Sequence, residues 1–282
     1  MTTSIAQPAR HWNLIEDTAG ETKAPPAWDT TLKAVASKVP EVALGFWIIK
    51  IAATTMGETG GDALSMSLDL GYALSTIIFF ALFAIAVTAQ IRAKKFHPFL
   101  YWAVIVATTL AGTTMADFAD RSLGIGYAGG SSLLFALVIV TLIAWRYTIG
   151  SVSFDHISSP RVEMFYWATI LFSNTLGTAL GDWVADSGPG YEGGALIFAG
   201  AIAIVAALYF FTKIPRTILF WSAFILTRPL GATLGDLLTK PVADHGLNLS
   251  RYTSTAAIAA FMIVCILVFP QRAGDHPGAR TD

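Results

Sequence analysis

The sequence predicts an all-α, polytopic membrane protein with eight transmembrane helices, built from four parallel helical-hairpin repeats. Three observations carry this. First, one phrase recurs four times: Trp, then Gly at +10, Gly or Ala at +14 and Asp at +15. The copies are Trp47, Gly57, Gly61, Asp62; Trp102, Gly112, Ala116, Asp117; Trp167, Gly177, Gly181, Asp182; and Trp221, Gly231, Gly235, Asp236. Repetition at fixed offsets sets the architecture before any other reading. Second, only 13% of the 282 residues are charged and 54% are hydrophobic, against about 25% charge in an average soluble domain. Third, eight apolar stretches of about the 20 residues that a spanning helix needs follow one another, at roughly 41–61, 71–91, 98–117, 130–149, 162–182, 194–212, 215–236 and 252–270.

Taken in order, residues 1–37 read as a polar cytoplasmic tail. Lys23-Ala24-Pro25-Pro26 is extended, because proline also restrains the residue before it. No apolar core of a cleaved signal peptide is present there, and a short surface helix is expected at 31–39. Repeat 1 spans 38–95, repeat 2 spans 96–158, repeat 3 spans 159–213 and repeat 4 spans 214–270, and 271–282 form a second cytoplasmic tail. Ala, Leu, Ile, Phe and Gly fill the apolar stretches without alternation, which excludes a β-barrel pattern. In each hairpin the first helix carries Trp and Asp and the second is plainer.

Nine Lys or Arg (Lys33, Lys38, Arg92, Lys94, Lys95, Arg146, Arg161, Lys213, Arg216) flank the Trp side, and three (Arg121, Lys240, Arg251) flank the Asp side. By the positive-inside bias both termini are cytoplasmic and all four first helices run outward, so the repeats are related by an axis along the membrane normal. The outer loops are acidic, with Asp69, Asp120, Asp186, Glu192 and Asp244, which favours cations at that mouth. The net charge of −1 gives no nucleic-acid footprint. The single Cys265 excludes an intrachain disulfide and reads as a small buried or lipid-facing hydrophobe.

Trp to Asp spans about 22 Å of helix. This places the Phe46-Trp47, Tyr101-Trp102, Tyr166-Trp167 and Phe220-Trp221 pairs near the cytoplasmic interface as anchors. Gly-x-x-x-Gly/Ala lets the first helices pack closely around a centre. The four aspartates recur at one depth near helix C-termini, where the dipole disfavours an anion. They read either as a cation- or proton-binding ring or as caps bonded to the loops and to the tyrosines that follow, Tyr72, Tyr127, Tyr191 and Tyr252.

The face leading to the aspartates is polar: Thr54, Thr109, Asn174 and Arg228 stand at Trp+7, and Glu58, Thr113, Thr178 and Ala232 at Trp+11. Arg228 is mid-helix and needs a partner. If the repeats close into a ring, repeats 1 and 4 are neighbours and Glu58 is that partner. A two-plus-two arrangement is the other option. Pro229 is expected to kink its helix, and Lys50 at Trp+3 to snorkel toward the interface. Oxygen donors suit Mg²⁺, Ca²⁺ or Mn²⁺ better than Zn²⁺ or Cu⁺. The five histidines lie in tails or loops, so no haem or zinc site is expected. Met56 and Met115 read as packing.

The block Lys38-Val39-Pro40-Glu41-Val42, Phe46-Trp47, Lys50, Thr54-Thr55 and Gly57-Glu58 through Asp62 resembles a bacterial family known as "uncharacterised membrane-anchored protein". The likeness covers most of 38–270, including the four tandem two-helix Gly-x-x-x-Gly-Asp repeats. It implies a multi-pass bacterial inner-membrane protein and assigns no catalytic residue. Glu58 to Asp62 also resembles the Glu-x-Gly-Asp motifs of small cation and manganese exporters, with spacing longer by one residue and parallel rather than inverted repeats.

The expected function is secondary transport of a cation, foremost export of a divalent metal such as Mn²⁺ in exchange for protons. Asp62, Asp117, Asp182 and Asp236 would hold the metal. Glu58, Thr54, Thr109, Thr113, Asn174 and Thr178 would line its path, and Arg228 and Lys50 would be the charge partners. No catalytic site and no cofactor beyond a bound or transported divalent cation is expected. The partners are the lipid bilayer and the small cation, with oligomerisation left open. The alternatives are a non-transporting scaffold or sensor component, and an organic-ion or anion carrier using Arg228 and Lys50.

Overall fold

The computed structural model describes residues 38–150 and 159–273. The helix expected at 31–39 lies outside these residues except for Lys38 and Val39, which form a bend. The described residues form eight long helices: α1 (Leu44–Asp62), α2 (Gly71–Arg92), α3 (Pro98–Asp117), α4 (Gly126–Ile149), α5 (Pro160–Asp186), α6 (Gly190–Phe211), α7 (Arg216–Thr239) and α8 (Arg251–Val268). Past their aspartates, α1 and α3 each continue into a π-helical turn, Ala63–Ser67 and Phe118–Ser122.

The odd helices form a closed inner ring, in which α1 packs on α3, α3 on α5, α5 on α7 and α7 on α1. A two-plus-two split is therefore not what the chain adopts. Each even helix packs outside the inner helix of the following repeat: α2 on α3, α4 on α5, α6 on α7, and α8 back on α1. The repeats thus interlock, and the last clasps the first.

Glycine sets the ring's register. A Cβ built on Gly57 would collide with Thr109, one on Gly112 would meet Asn174, one on Gly177 would meet Arg228 and one on Gly231 would meet Thr54. The Trp+10 glycine of each repeat therefore holds the Trp+7 side chain of the next, all the way round. One step on, Gly61 faces Thr113, Gly181 faces Ala232 and Gly235 faces Glu58. Contacts that advance together along two helices require those helices to be parallel. The close approach is what small residues provide where lipid offers no hydrophobic drive.

Six of the eight helices are long and apolar enough to cross a membrane; α1 and α5 are not among them. The physical reason is polarity inside the span: α1 carries Lys50 and Glu58, and α5, free of charge over 164–181, carries Thr169, Ser173, Asn174, Thr175 and Thr178 there. Both belong to the inner ring, where neighbours rather than lipid meet those groups. In the apolar windows of α2, α4, α6 and α8 only 17–22% of residues are buried, against 67% for inner helices α3 and α7. Helix α7 runs through Pro229 without a break, and Gly177 and Gly181 of α5 make room for the ring and backbone of Pro229.

The aromatic pairs are not interfacial anchors. Phe46, Tyr101, Trp102, Tyr166, Trp167 and Phe220 are buried, and Trp47 and Trp221 half-buried. In three of the four steps the aromatic before the Trp packs on the Trp of the next repeat: Phe46 on Trp102 at 5.5 Å between centroids, Tyr101 on Trp167 at 5.8 Å, and Phe220 on Trp47 at 5.6 Å. This girdle closes one end of the ring. Two chain segments cross beside it: Glu41 N donates to Arg272 O at 2.9 Å, and Trp102 Nε1 donates to Gln271 Oε1 at 3.2 Å. Lys38 reaches Glu163 at 2.6 Å. Cys265 is buried in the same core, and Met56 and Met115 pack against it.

Candidate functional site

The inner faces stack in layers from the girdle to the opposite end. The Trp+3 layer is Lys50, Ile105, Ile170 and Phe224, all at most 1% exposed. Lys50 does not snorkel: its Nζ has no hydrogen-bond partner and lies 4.2 Å from the Phe224 ring centroid. Burial within the ring, between helices that leave no path to water, overrides the stem's reach.

In the Trp+7 layer three side chains reach the preceding repeat. Thr54 Oγ1 lies 3.1 Å from the Thr227 carbonyl, Thr109 Oγ1 lies 3.1 Å from the Ala53 carbonyl, and Asn174 Nδ2 donates to Thr108 Oγ1 at 2.9 Å. Arg228 breaks this rule. Its stem lies against Gly177 of α5, and its guanidinium continues across the axis to α1 and α3. Nη1 donates to Thr54 O at 3.1 Å, and Nη2 donates to Thr113 Oγ1 at 2.6 Å and lies 3.3 Å from Glu58 Oε2. Arg228 therefore touches all four inner helices. The expected Arg228–Glu58 pair forms because α7 and α1 are neighbours. Thr178 is buried in the Trp+11 layer and bonds back to Asn174 O at 3.3 Å.

Above lie the four aspartates, each at most 3% exposed. They are not a bare ring. Arg121 Nε bonds Asp117 at 3.0 Å and Arg121 Nη2 bonds Asp182 at 3.2 Å. Lys240 Nζ bonds Asp62 at 2.7 Å and Asp236 at 3.1 Å, and Arg251 Nε lies 3.6 Å from Asp62. Two cations thus join the aspartates in neighbouring couples, 2 with 3 and 4 with 1. Arg121, Lys240 and Arg251 are the three cations counted above as outer-loop charges. Sequence reasoning missed their role, although Asp-x-x-x-Arg and Asp-x-x-x-Lys place Arg121 and Lys240 one helical turn beyond Asp117 and Asp236. Burial disfavours the Lys240 ammonium, but Asp236 and Asp62 outweigh it and hold its pKa well above the lysine range. Of the loop acids, Asp120 is buried beside Gly130 rather than exposed, and Asp186 accepts from Tyr127 in the first turn of α4.

Pairing leaves valence free. Asp62 Oδ1, Asp117 Oδ2 and Asp182 Oδ1 are buried without hydrogen-bond partners, a costly state for a carboxylate oxygen. Glu58, Asp62 and Asp236 each offer an oxygen, all within 4.8 Å of one another. Three convergent carboxylate oxygens at that spacing are a hard-cation donor set.

Fold and site together define an integral, four-repeat helical bundle with a buried charge cluster on its axis. Residues 45–96, 100–150, 165–214 and 219–272 match the family described as Repeat of Unknown Function (DUF347), and the chain belongs to that family. No curated protein and no solved structure matches the chain.

Proposed function

We propose that the protein is a membrane-embedded secondary transporter of a small hard cation, foremost a divalent metal such as Mn²⁺ moving outward in exchange for protons. In this reading all eight helices cross a bacterial inner membrane, α1 and α5 shielded within the ring. The excess of Lys and Arg at the girdle end supports cytoplasmic termini in this reading. The observation that carries the proposal is the buried convergence of Glu58, Asp62 and Asp236 oxygens within 4.8 Å, in a layer whose other aspartates keep free oxygens. Intramembrane carboxylates of this kind mark ion pathways.

Arg228 and the layer of Lys50, Ile105, Ile170 and Phe224 separate the carboxylates from the girdle end. Transport then requires Arg228 to part from Glu58 and that layer to open, through rocking of inner helices that meet on glycine. Arg228 has Nη1 and Nη2 engaged by Thr54, Glu58 and Thr113, which argues against an anion carrier built on it. A static scaffold is the second reading, favoured by the cation that every aspartate already holds. Total cell metal, measured in a host lacking and then overexpressing the protein under Mn, Mg, Ca, Fe, Co or Ni challenge, separates the two. Export lowers one metal with wild type but not with folded Asp62→Asn/Asp182→Asn. A scaffold lowers none.

A further inference from the structure

The connection between α7 and α8 differs from the other three at the aspartate end. Those three run into a glycine of positive φ that opens the next helix: Gly71 at 71°, Gly126 at 64° and Gly190 at 68°. The fourth instead folds back on its own helix. Leu247 N donates to Leu237 O at 2.7 Å, Leu249 N to Leu238 O at 2.8 Å and Asn248 N to Lys240 O at 2.9 Å. Its apolar side chains Val242, Leu247 and Leu249 are exposed, so lifting it removes little apolar packing and breaks chiefly these backbone hydrogen bonds and the seat of Gly246 on Lys240. Segments held by few buried contacts open at low cost.

Lys240 and Arg251 bracket this connection, and both lie on Asp62, at 2.7 and 3.6 Å. Lys240 also holds Asp236. The third carboxylate, Glu58, is answered from the axis by Arg228. Three carboxylates thus face three cations, two of which stand at the two ends of one connection. Asp62 Oδ1, on a side chain 1% exposed, has no partner of its own and so points to a further ligand.

We propose that Lys240 and Arg251 are tethered placeholders for a divalent cation, which takes the Glu58/Asp62/Asp236 site when the α7–α8 connection lifts both away. This deepens the transport reading and rests on it. The exchange is neutral: two positive charges leave together and one dication replaces them, with Arg228 remaining on Glu58. A monovalent ion would leave one buried carboxylate uncompensated, which is strongly unfavourable. Charge balance, rather than cavity size, then selects a dication.

The test is Mn²⁺ binding to purified full-length protein in detergent, read from loss of the free-Mn²⁺ electron paramagnetic resonance signal. Thermal unfolding and size exclusion confirm folding. Lys240→Gln/Arg251→Gln removes both placeholders and is expected to bind one Mn²⁺ at least about tenfold more tightly than wild type. Asp62→Asn in that background abolishes the gain. Lys240→Gln alone gains in the same direction by less, and serves if the double variant does not fold. Equal, Asp62-dependent affinity in wild type and variants overturns the placeholder role and leaves the transport reading standing. Folded variants that show no Asp62-dependent binding overturn both.

Discussion

Gly231→Ala probes the closure of the ring. A Cβ there would lie 2.8 Å from the Thr54 carbonyl carbon, a backbone atom that cannot rotate aside, and closer still to the Thr54 side chain. Ordinary carbon contacts are about 3.5 Å or more, and Thr54 Cβ, equally fixed to the backbone, is nearer still at 2.4 Å, so α1 and α7 must part by roughly 1.1 Å. Overpacking of this kind costs about 1–3 kcal/mol. Loss of the Thr54–Thr227 hydrogen bond adds about 0.5–1.5 kcal/mol, and better helix propensity returns about 1 kcal/mol. The net expectation is a destabilisation of about 0.5–3.5 kcal/mol. Gly200→Ala is the control: it sits exposed in α6 with nothing within 4 Å of its Cβ position. It should stabilise by about 0.5–1 kcal/mol through propensity alone. Denaturant titration in detergent, followed by circular dichroism, reads both. If Gly231→Ala is as stable as Gly200→Ala, α1 and α7 do not meet as described and the cyclic register is wrong.

Arg228→Met should destabilise by about 3–5 kcal/mol, since it leaves Glu58 buried and unanswered, and adding Glu58→Gln should recover much of the loss; the same titration checks both. Lys240 gains its carboxylate partners on folding and its folded pKa lies above the unfolded 10.5. Its contribution is therefore complete below pH 10.5 and lost only as pH rises through the higher folded value. The stability difference between wild type and Lys240→Gln, measured from neutral pH to pH 10.5, should accordingly not fall; a fall within that window would show that Lys240 does not hold its proton there.

The repeats alone leave a ring and a two-plus-two split both open, and the way their offsets meet in space closes the ring. Each Trp+10 glycine is a hole, each Trp+7 residue a knob, and the two meet between neighbours. The Arg228–Glu58 pair follows once repeat 4 is set beside repeat 1. Other features lay beyond any single-helix reading. Hydropathy assigns Arg121 and Lys240 to loops, yet each folds back one turn onto its own aspartate and the neighbour's. Tyr101-Trp102 looks like a belt for the membrane interface, but interlocking with Trp167 buries it. Lys50 has stem enough to reach water. Its burial comes from Phe224 and the other helices around α1, which no property of α1 alone reveals.

The central claim, that the buried carboxylates pass a cation, is met most directly by flux. Purified protein in sealed liposomes carrying a pH gradient would be assayed for Mn²⁺ movement with an entrapped metal-sensitive dye, beside folded Asp62→Asn/Asp236→Asn. The account predicts Mn²⁺ movement with wild type, driven by the gradient and lost in the variant. Wild-type liposomes no more permeable to Mn²⁺ or the other divalent ions than protein-free ones would contradict it, and leave the aspartates and their cations as a structural lock.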